Sequence, residues 1–310
     1  MIRFVLSRGI RAALIFVVAS VAVCYGLRVA PGSLADIVTN PLNRAFAVKD
    51  LEERLGLDEP VIVQYFVFVR NIMGGDFGVS FISNRSVTEI IATGGLNTLK
   101  LGGAAAILTY FISVPLGIMA AARRNSVIDQ GSMLIAVLGM AIPNFFLAIL
   151  LVRLFAVELR WLPAAGQGGI KHLILPAVVL AAEAIAINLR LVRASVLEQL
   201  SRDYIRTLRA KGASERRVVW IHAFRNALPP VITFGGVMLR TLLGYTLVVE
   251  VIFRYPGLGF ELVDSVLKRD YAVAQALALV FIAGVVLFNF LADLGHHLAE
   301  PRIRERGAAG

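Results

Sequence analysis

The sequence has little charge, one cysteine and few histidines, and each scarcity narrows what it can do. Only 17% of its 310 residues are charged, where a soluble domain carries roughly a quarter. With 58% hydrophobic residues and a mean hydropathy of +0.76, the chain is no disordered segment, coiled coil or ordinary water-soluble domain. The single cysteine, Cys24, excludes an internal disulfide and a multi-cysteine metal site. It sits in an apolar run and reads as a buried, inert thiol. No Gly-x-x-x-x-Gly-Lys-Ser/Thr loop occurs, nor any Gly-Lys pair, so ATP, if used, is bound by another chain. His-Glu-x-x-His and Gly-x-Ser-x-Gly are missing as well, which argues against an intramembrane enzyme. The four histidines are His172, His222, His296 and His297. The last two are adjacent and diverge by about 100° on a helix, which disfavours a shared metal. They are expected at the inner interface, with Asp293 and Glu300.

What the chain has is long apolar runs. A membrane helix needs about 20 mostly apolar residues. Residues 12–27, 101–122, 130–152 and 271–292 are uncharged runs of that kind. Two further spans carry internal charges: 173–195, with Glu183, Arg190 and Arg193, and 229–252, with Arg240 and Glu250. The fold class expected is all-α, a polytopic membrane protein with six transmembrane helices in one transmembrane domain, 1–310. In the first span no small-x-small site precedes a clear mature start and Arg28 lies in the way, so it is not read as a removed signal peptide.

Lys and Arg set the orientation. With the N-terminus inside, the inner segments 1–11, 121–129, 193–228 and 298–310 hold 16 basic residues. The short outer segments 159–172 and 254–270 hold 2 and 3, and the long outer segment 31–99 holds 5 against 8 acidic residues. Both termini are therefore expected in the cytoplasm. The net charge of +10 becomes a signal facing an anionic leaflet, not a nucleic-acid footprint.

The segment 31–99 is too long for an idle loop. Asp58-Glu59-Pro60 reads as a helix start, Val61 to Met73 as an apolar helix, and Gly74-Gly75-Asp76-Phe77-Gly78 as its break. Two readings stand: a cap packed on the membrane domain, or a docking surface for a soluble partner.

The 193–228 loop is more informative. Its first half suits a helix ending at Gly212, a residue suited to the left-handed position past a helix end. Ser214 then caps a second helix with Glu215 in its first turn, and Pro229-Pro230 ends it. Val218, Val219, Ile221 and Phe224 give that helix an apolar face rimmed by Arg and Lys, fit for a partner's groove.

These residues resemble the loop of binding-protein-dependent ABC importer permeases of the peptide/nickel branch, of the first-permease type. The match runs Asp203-Tyr204-Ile-Arg206-Thr-Leu-Arg-Ala210-Lys211-Gly212-Ala213-Ser214, then His222-Ala-Phe-Arg225-Asn226-Ala227. Leu55 to Pro60, Gln64-Tyr65, Gly75 to Ser80, Trp161 to Ala164, Tyr255 to Gly259, Arg269 to Tyr271 and Pro301 to Arg304 are similar in the same order. The general loop pattern has Glu-Ala-Ala where this chain has Arg206, Thr207 and Leu208, so a glutamate contact to the ATPase is not carried over. The resemblance implies a non-enzymatic transport subunit of the bacterial inner membrane. It implies three kinds of partner: a second homologous permease, two ATP-binding cassette subunits carrying ATP and magnesium, and a periplasmic substrate-binding protein. It implies alternating-access import of di- or oligopeptides or a related solute such as a nickel chelate or glutathione. Loop residues Asp203, Tyr204, Arg206, Ala210 to Ser214, His222, Arg225 and Asn226 would couple to the ATPase; Gln64, Tyr65 and Asp76 would meet the binding protein. An ion-driven secondary transporter is the alternative, but it predicts inverted repeats that the sequence does not display.

Glu183, Asn188 and Arg240 are the residues expected on the translocation path. Glu183 and Arg240 fall at similar depth on consecutive spans, roughly 15–17 Å in at about 1.5 Å per residue. Ionisable groups there are costly and find a partner or line a wet cavity. Three readings remain: an ion pair that locks the spans, a pair that lines the path and meets a zwitterionic solute, or two residues that never meet.

Overall fold

The computed structural model describes residues 2–29, 61–80 and 82–299. Helices are α1 (Ile2–Val29), α2 (Val61–Met73), α3 (Val87–Ala122), α4 (Val127–Ala141) and α5 (Asn144–Glu158), then α6 (Gly169–Leu200), α7 (Asp203–Ala210), α8 (Glu215–Ile252), α9 (Leu258–Leu267) and α10 (Tyr271–Ala299). Among the described residues five helices are long and apolar enough to cross a membrane, six if the bent pair α4–α5 is one span. The helix start expected at Asp58 to Pro60, the Gln64 side chain, and the side chains around His296, His297 and Glu300 lie outside the described residues.

Two expectations are corrected. The run 130–152 is not one straight span: α4 and α5 meet at 107°. Ile142 precedes Pro143, whose ring pushes it out of the helical region, and it is extended at φ −87°, ψ 118°. Each arm of 15 residues is about 22 Å long, shorter than the roughly 30 Å hydrocarbon core. Conversely, Pro229 and Pro230 do not end their helix, because α8 continues from Glu215 to Ile252. The two prolines leave the carbonyls of Arg225 and Asn226 without helical donors. Both residues are exposed, so that gap falls outside the packed face.

The chain divides into two compact units, Met1–Thr98 with Pro256–Leu287, and Leu99–Tyr255 with Phe288–Gly310. In the first, α2 is tied to α1 by Tyr65 Oη and Ser20 Oγ, 2.7 Å apart. Cys24 is buried and free. Gly75 and Gly78, both at φ +82°, stop α2 and turn the chain. An antiparallel bridge between Val79 and Ser86 follows. Val87, Ile90, Val273, Ala276 and Leu277 form the core there. Buried polar contacts fix its loops: Ser80 Oγ donates to Asp270 at 2.5 Å, Asn97 Nδ2 to the Pro256 carbonyl at 2.8 Å, and Leu258 N to Thr98 Oγ1 at 2.9 Å. The last satisfies an orphan donor at the start of α9.

In the second unit α6 is the central helix, buried from Leu175 to Val196 on several faces. Small residues let its neighbours come close. A Cβ on Gly117 of α3 would lie 2.8 Å from Val192, and one on Gly139 of α4 would lie 3.1 Å from Ala186. At the start of α4, Ser126 Oγ accepts from Asp129 N, and Asp129 accepts from Asn125 N at 2.9 Å. Arg193 of α6 then grips Asp129 with two donors at 2.5 and 2.8 Å.

Candidate functional site

The loop singled out from the sequence is a helical hairpin, α7 followed by the first turns of α8. Gly212 stands at φ +81°, the left-handed position that favours glycine. Gly212 N donates to the Arg209 carbonyl at 2.9 Å and Ala213 N to the Leu208 carbonyl at 3.1 Å. These two bonds make a Schellman close, which satisfies the last carbonyls of α7. Leu208 and Ala213 pack against the same core, the apolar contact that accompanies that motif. Ser214 occupies the cap position of α8 with extended backbone, but its side chain makes no capping bond. Glu215 instead reaches back across the turn to Arg209, at 2.6 and 3.1 Å.

The apolar face of α8 differs from the expected one. Val218 and Val219 are buried, packed with Ile205 on Ile118, Ala121, Val192 and Val196. The cause is the π-helical segment Val218–Ala223. Buried positions run Val218, Val219, Ala223, Ala227 and Val231, with steps of four from Val219 onward. A π turn holds more residues than an α turn, so neighbouring valines both face in, while Trp220 (41% exposed) and Ile221 (54%) face out. Phe224 is half-buried against the same core. The hairpin is thus seated on the ends of α3 and α6, and a push on it reaches both helices through packed side chains.

Of the coupling residues, Asp203, Arg206, Ala210, Lys211, Gly212, Ser214, Arg225 and Asn226 are exposed, and Tyr204, Ala213 and His222 are half-buried. Arg206 and Asp203 make a loose pair at 3.7 Å. Tyr204 Oη donates to Gln199 at 3.2 Å, anchoring α7 to the end of α6. The surface so made is basic, with an apolar centre at Trp220 and Ile221. Trp220 was not singled out from the sequence, because the apolar face was drawn through Val218, Val219, Ile221 and Phe224.

Of the readings for Glu183 and Arg240, the ion pair does not form; no ion pair among the described residues contains either. Met238, Leu242 and Thr246 mark the buried face of α8, and Arg240 lies about 200° from Met238, on the opposite face. It is exposed, and Glu183 is half-buried. Asn188 is fully buried, its Nδ2 donating to Ser113 of α3 at 2.7 Å. The ion pair the sequence did not reveal is Arg193 with Asp129, which joins the hairpin end of α6 to α4. A Ser-x-x-Asp capping pattern at Ser126 was the available signal for half of it.

In the other unit, Tyr65 is half-buried against Ser20, while Asp76 is exposed and accepts from Gly78 N at 2.9 Å. Tyr65 and Asp76 therefore shape their own segment, and among the described side chains of α2 Val63, Phe66 and Val67 are the exposed apolar ones. Glu261 of α9 has its pKa raised, first by burial and then by the Asp264 carboxylate. No group of three metal-ligating side chains that could hold a metal ion occurs among the described residues.

The family model described as "binding-protein-dependent transport system inner membrane component" matches residues 113–305, and the model for the N-terminal part of that membrane component matches residues 1–101. The chain is 40% identical over 304 residues to the glutathione transport system permease protein GsiC of Escherichia coli strain K12, covering 98% of this chain and 99% of that protein. It is 39% identical over the same length to the protein of that name from Salmonella choleraesuis, with the same coverage. Among solved structures, inward-facing MetNI methionine ABC transporter matches with a TM-score of 0.54 at 20% identity, over 68% of this chain and 96% of that one. At that identity the likeness bears on the fold alone.

Proposed function

We propose a cargo and an assembly for this chain, which belongs to the family of binding-protein-dependent transport system inner membrane components and is the multi-pass permease subunit of an ABC importer. The cargo is glutathione or a short peptide. The assembly comprises a second permease, two ATP-binding cassette subunits holding ATP and magnesium, and a periplasmic binding protein, set in a bacterial inner membrane. Identity of 40% across 98% of the chain to glutathione permeases carries the cargo reading. The hairpin supports the assembly, since it offers a basic rim around Trp220 and Ile221 on a seat packed to α3 and α6.

In this reading the ATPases close on ATP and draw the hairpin with them. Ile205, Val218 and Val219 transmit that displacement to α3 and α6 as rigid bodies, and the cavity alternates between its two openings. The test is co-expression with the neighbouring ATPase chains, purification, and ATP turnover with glutathione-loaded binding protein. Stimulation above the unloaded protein is expected; turnover indifferent to the loaded protein contradicts the assembly.

A further inference from the structure

Arg190 of α6 has no charged partner among the described residues. The Arg190 guanidinium is exposed, and its hydrogen bond is from Nη1 to the Met140 thioether at 3.3 Å, a weak and uncharged acceptor. No ion pair among the described residues includes it. Arg193, one turn further along, is already held by Asp129. Arg190 and Arg193 line an open groove of about 470 Å³ between α4 and α6, walled by Met133, Met140, Ile187 and Leu191. An arginine at membrane depth costs about 2.5–3.5 kcal/mol on insertion scales, and such residues line cavities or meet a counter-charge.

The direction of the side chain says which counter-charge. A lipid phosphate lies at the interface, where Arg193, Asp129 and the exposed Arg123 and Arg124 mark the end of the bundle. A snorkelling Arg190 would turn that way. It turns the other way, to Met140, which lies about 16 Å along α4 from Asp129 at 1.5 Å per residue. Side chains lean toward the N-terminus of their own helix, and here that lean carries the charge toward the middle of the span. The groove walls are also suited to a variable guest, because methionine thioethers adapt their shape.

We propose that Arg190 binds a carboxylate of the translocated solute as it passes the groove, with Met133 and Met140 accommodating its variable side chain. This rests on the permease reading above. The carboxylate accepts charge-assisted hydrogen bonds from the guanidinium, and the solute leaves when α4 and α6 shift.

The test uses the full transporter in proteoliposomes, with glutathione as the probe. Arg190→Gln should lower glutathione uptake about tenfold or more, the size of one charge-assisted hydrogen bond. Arg190→Lys, which keeps the charge but not the guanidinium's fork of donors, should lose less uptake than Arg190→Gln. ATP turnover stimulated by loaded binding protein should remain at the wild-type level in both. Unchanged uptake by Arg190→Gln overturns the proposal, as does a loss in Arg190→Lys equal to that in Arg190→Gln. A defect present only in vesicles containing phosphatidylglycerol, and absent in phosphatidylcholine, assigns the counter-charge to lipid and overturns it. Loss of the second permease from purified Arg190→Gln assigns it to that subunit and overturns it too. Wild type that fails both to take up glutathione and to respond to loaded binding protein refutes the proposed function itself, and removes the basis of this one with it.

Discussion

Gly212→Val probes the hairpin turn without touching an exposed contact. A Cβ placed on Gly212 meets nothing within 4 Å, so crowding contributes nothing. The cost is backbone strain at φ +81°, about 1–2 kcal/mol for an L-residue, with valine worse than alanine because its branched Cβ stiffens the residue. Asparagine visits this region readily. The expected order of function is therefore Gly, Asn, Ala, Val. Ile205, Val218 and Val219 still anchor the two helices, so the strain is relieved locally. The bonds from Gly212 N and Ala213 N give way, and the Arg209–Glu215 bridge across the turn shifts. A cost of about 1–2 kcal/mol lowers the native turn population by roughly 5- to 30-fold relative to its alternatives. The assay is ATP-driven uptake and ATP turnover of reconstituted transporter, with thermal unfolding as a control. Gly212→Val should lose uptake while inserting and unfolding like wild type, and Gly212→Asn should retain it. Equal uptake by the Val, Asn and wild-type proteins would refute the reasoning.

Other perturbations follow from the same geometry. Asp129→Asn leaves the half-buried Arg193 without its counter-charge and should destabilise the protein by on the order of 3 kcal/mol, read as a lower unfolding temperature, whereas Arg206→Gln, at an exposed 3.7 Å pair, should not shift it measurably. Ile221→Asp, on the exposed apolar centre of the hairpin, should weaken retention of the ATPase chains in pull-down while leaving the permease fold intact; full retention contradicts the docking role. Glu261 has a raised folded-state pKa, so its contribution to stability is fully present below the unfolded carboxylate pKa and is lost as pH rises through the raised value. Glu261→Gln should therefore gain on wild type in unfolding temperature as pH rises above the ordinary carboxylate range, and parallel curves would contradict this.

Much of the architecture was readable because bilayer physics acts on short windows. Apolar runs such as 101–122 and 271–292 fall within α3 and α10, and Gly212 marked the end of α7 because a left-handed residue has few alternatives to glycine. Two local signals were misjudged. Pro143 stood inside an apolar run, and composition cannot report the direction of a helix. Pro229 and Pro230 read as a stop, yet membrane helices tolerate proline where its freed carbonyls can be accommodated. Pairings between distant positions were not readable. Arg193 finds Asp129 across 64 residues only because small residues bring α4 against α6. Glu183 and Arg240 matched in depth but not in facing, and depth counts residues while facing depends on helical phase. Within the π segment Val218–Ala223, Val218 and Val219 are both buried while Trp220 reaches the surface.

If this chain moves solute only as the permease of an ATP-driven importer, uptake must depend on ATP and on the binding protein. Glutathione uptake should be measured in proteoliposomes containing this chain, its partner permease, the ATPase chains and loaded binding protein, with and without ATP, beside vesicles holding this chain alone under a proton or sodium gradient. Uptake that requires ATP and the binding protein, and none by the chain alone, is the predicted result. Gradient-driven uptake by the chain alone would contradict it.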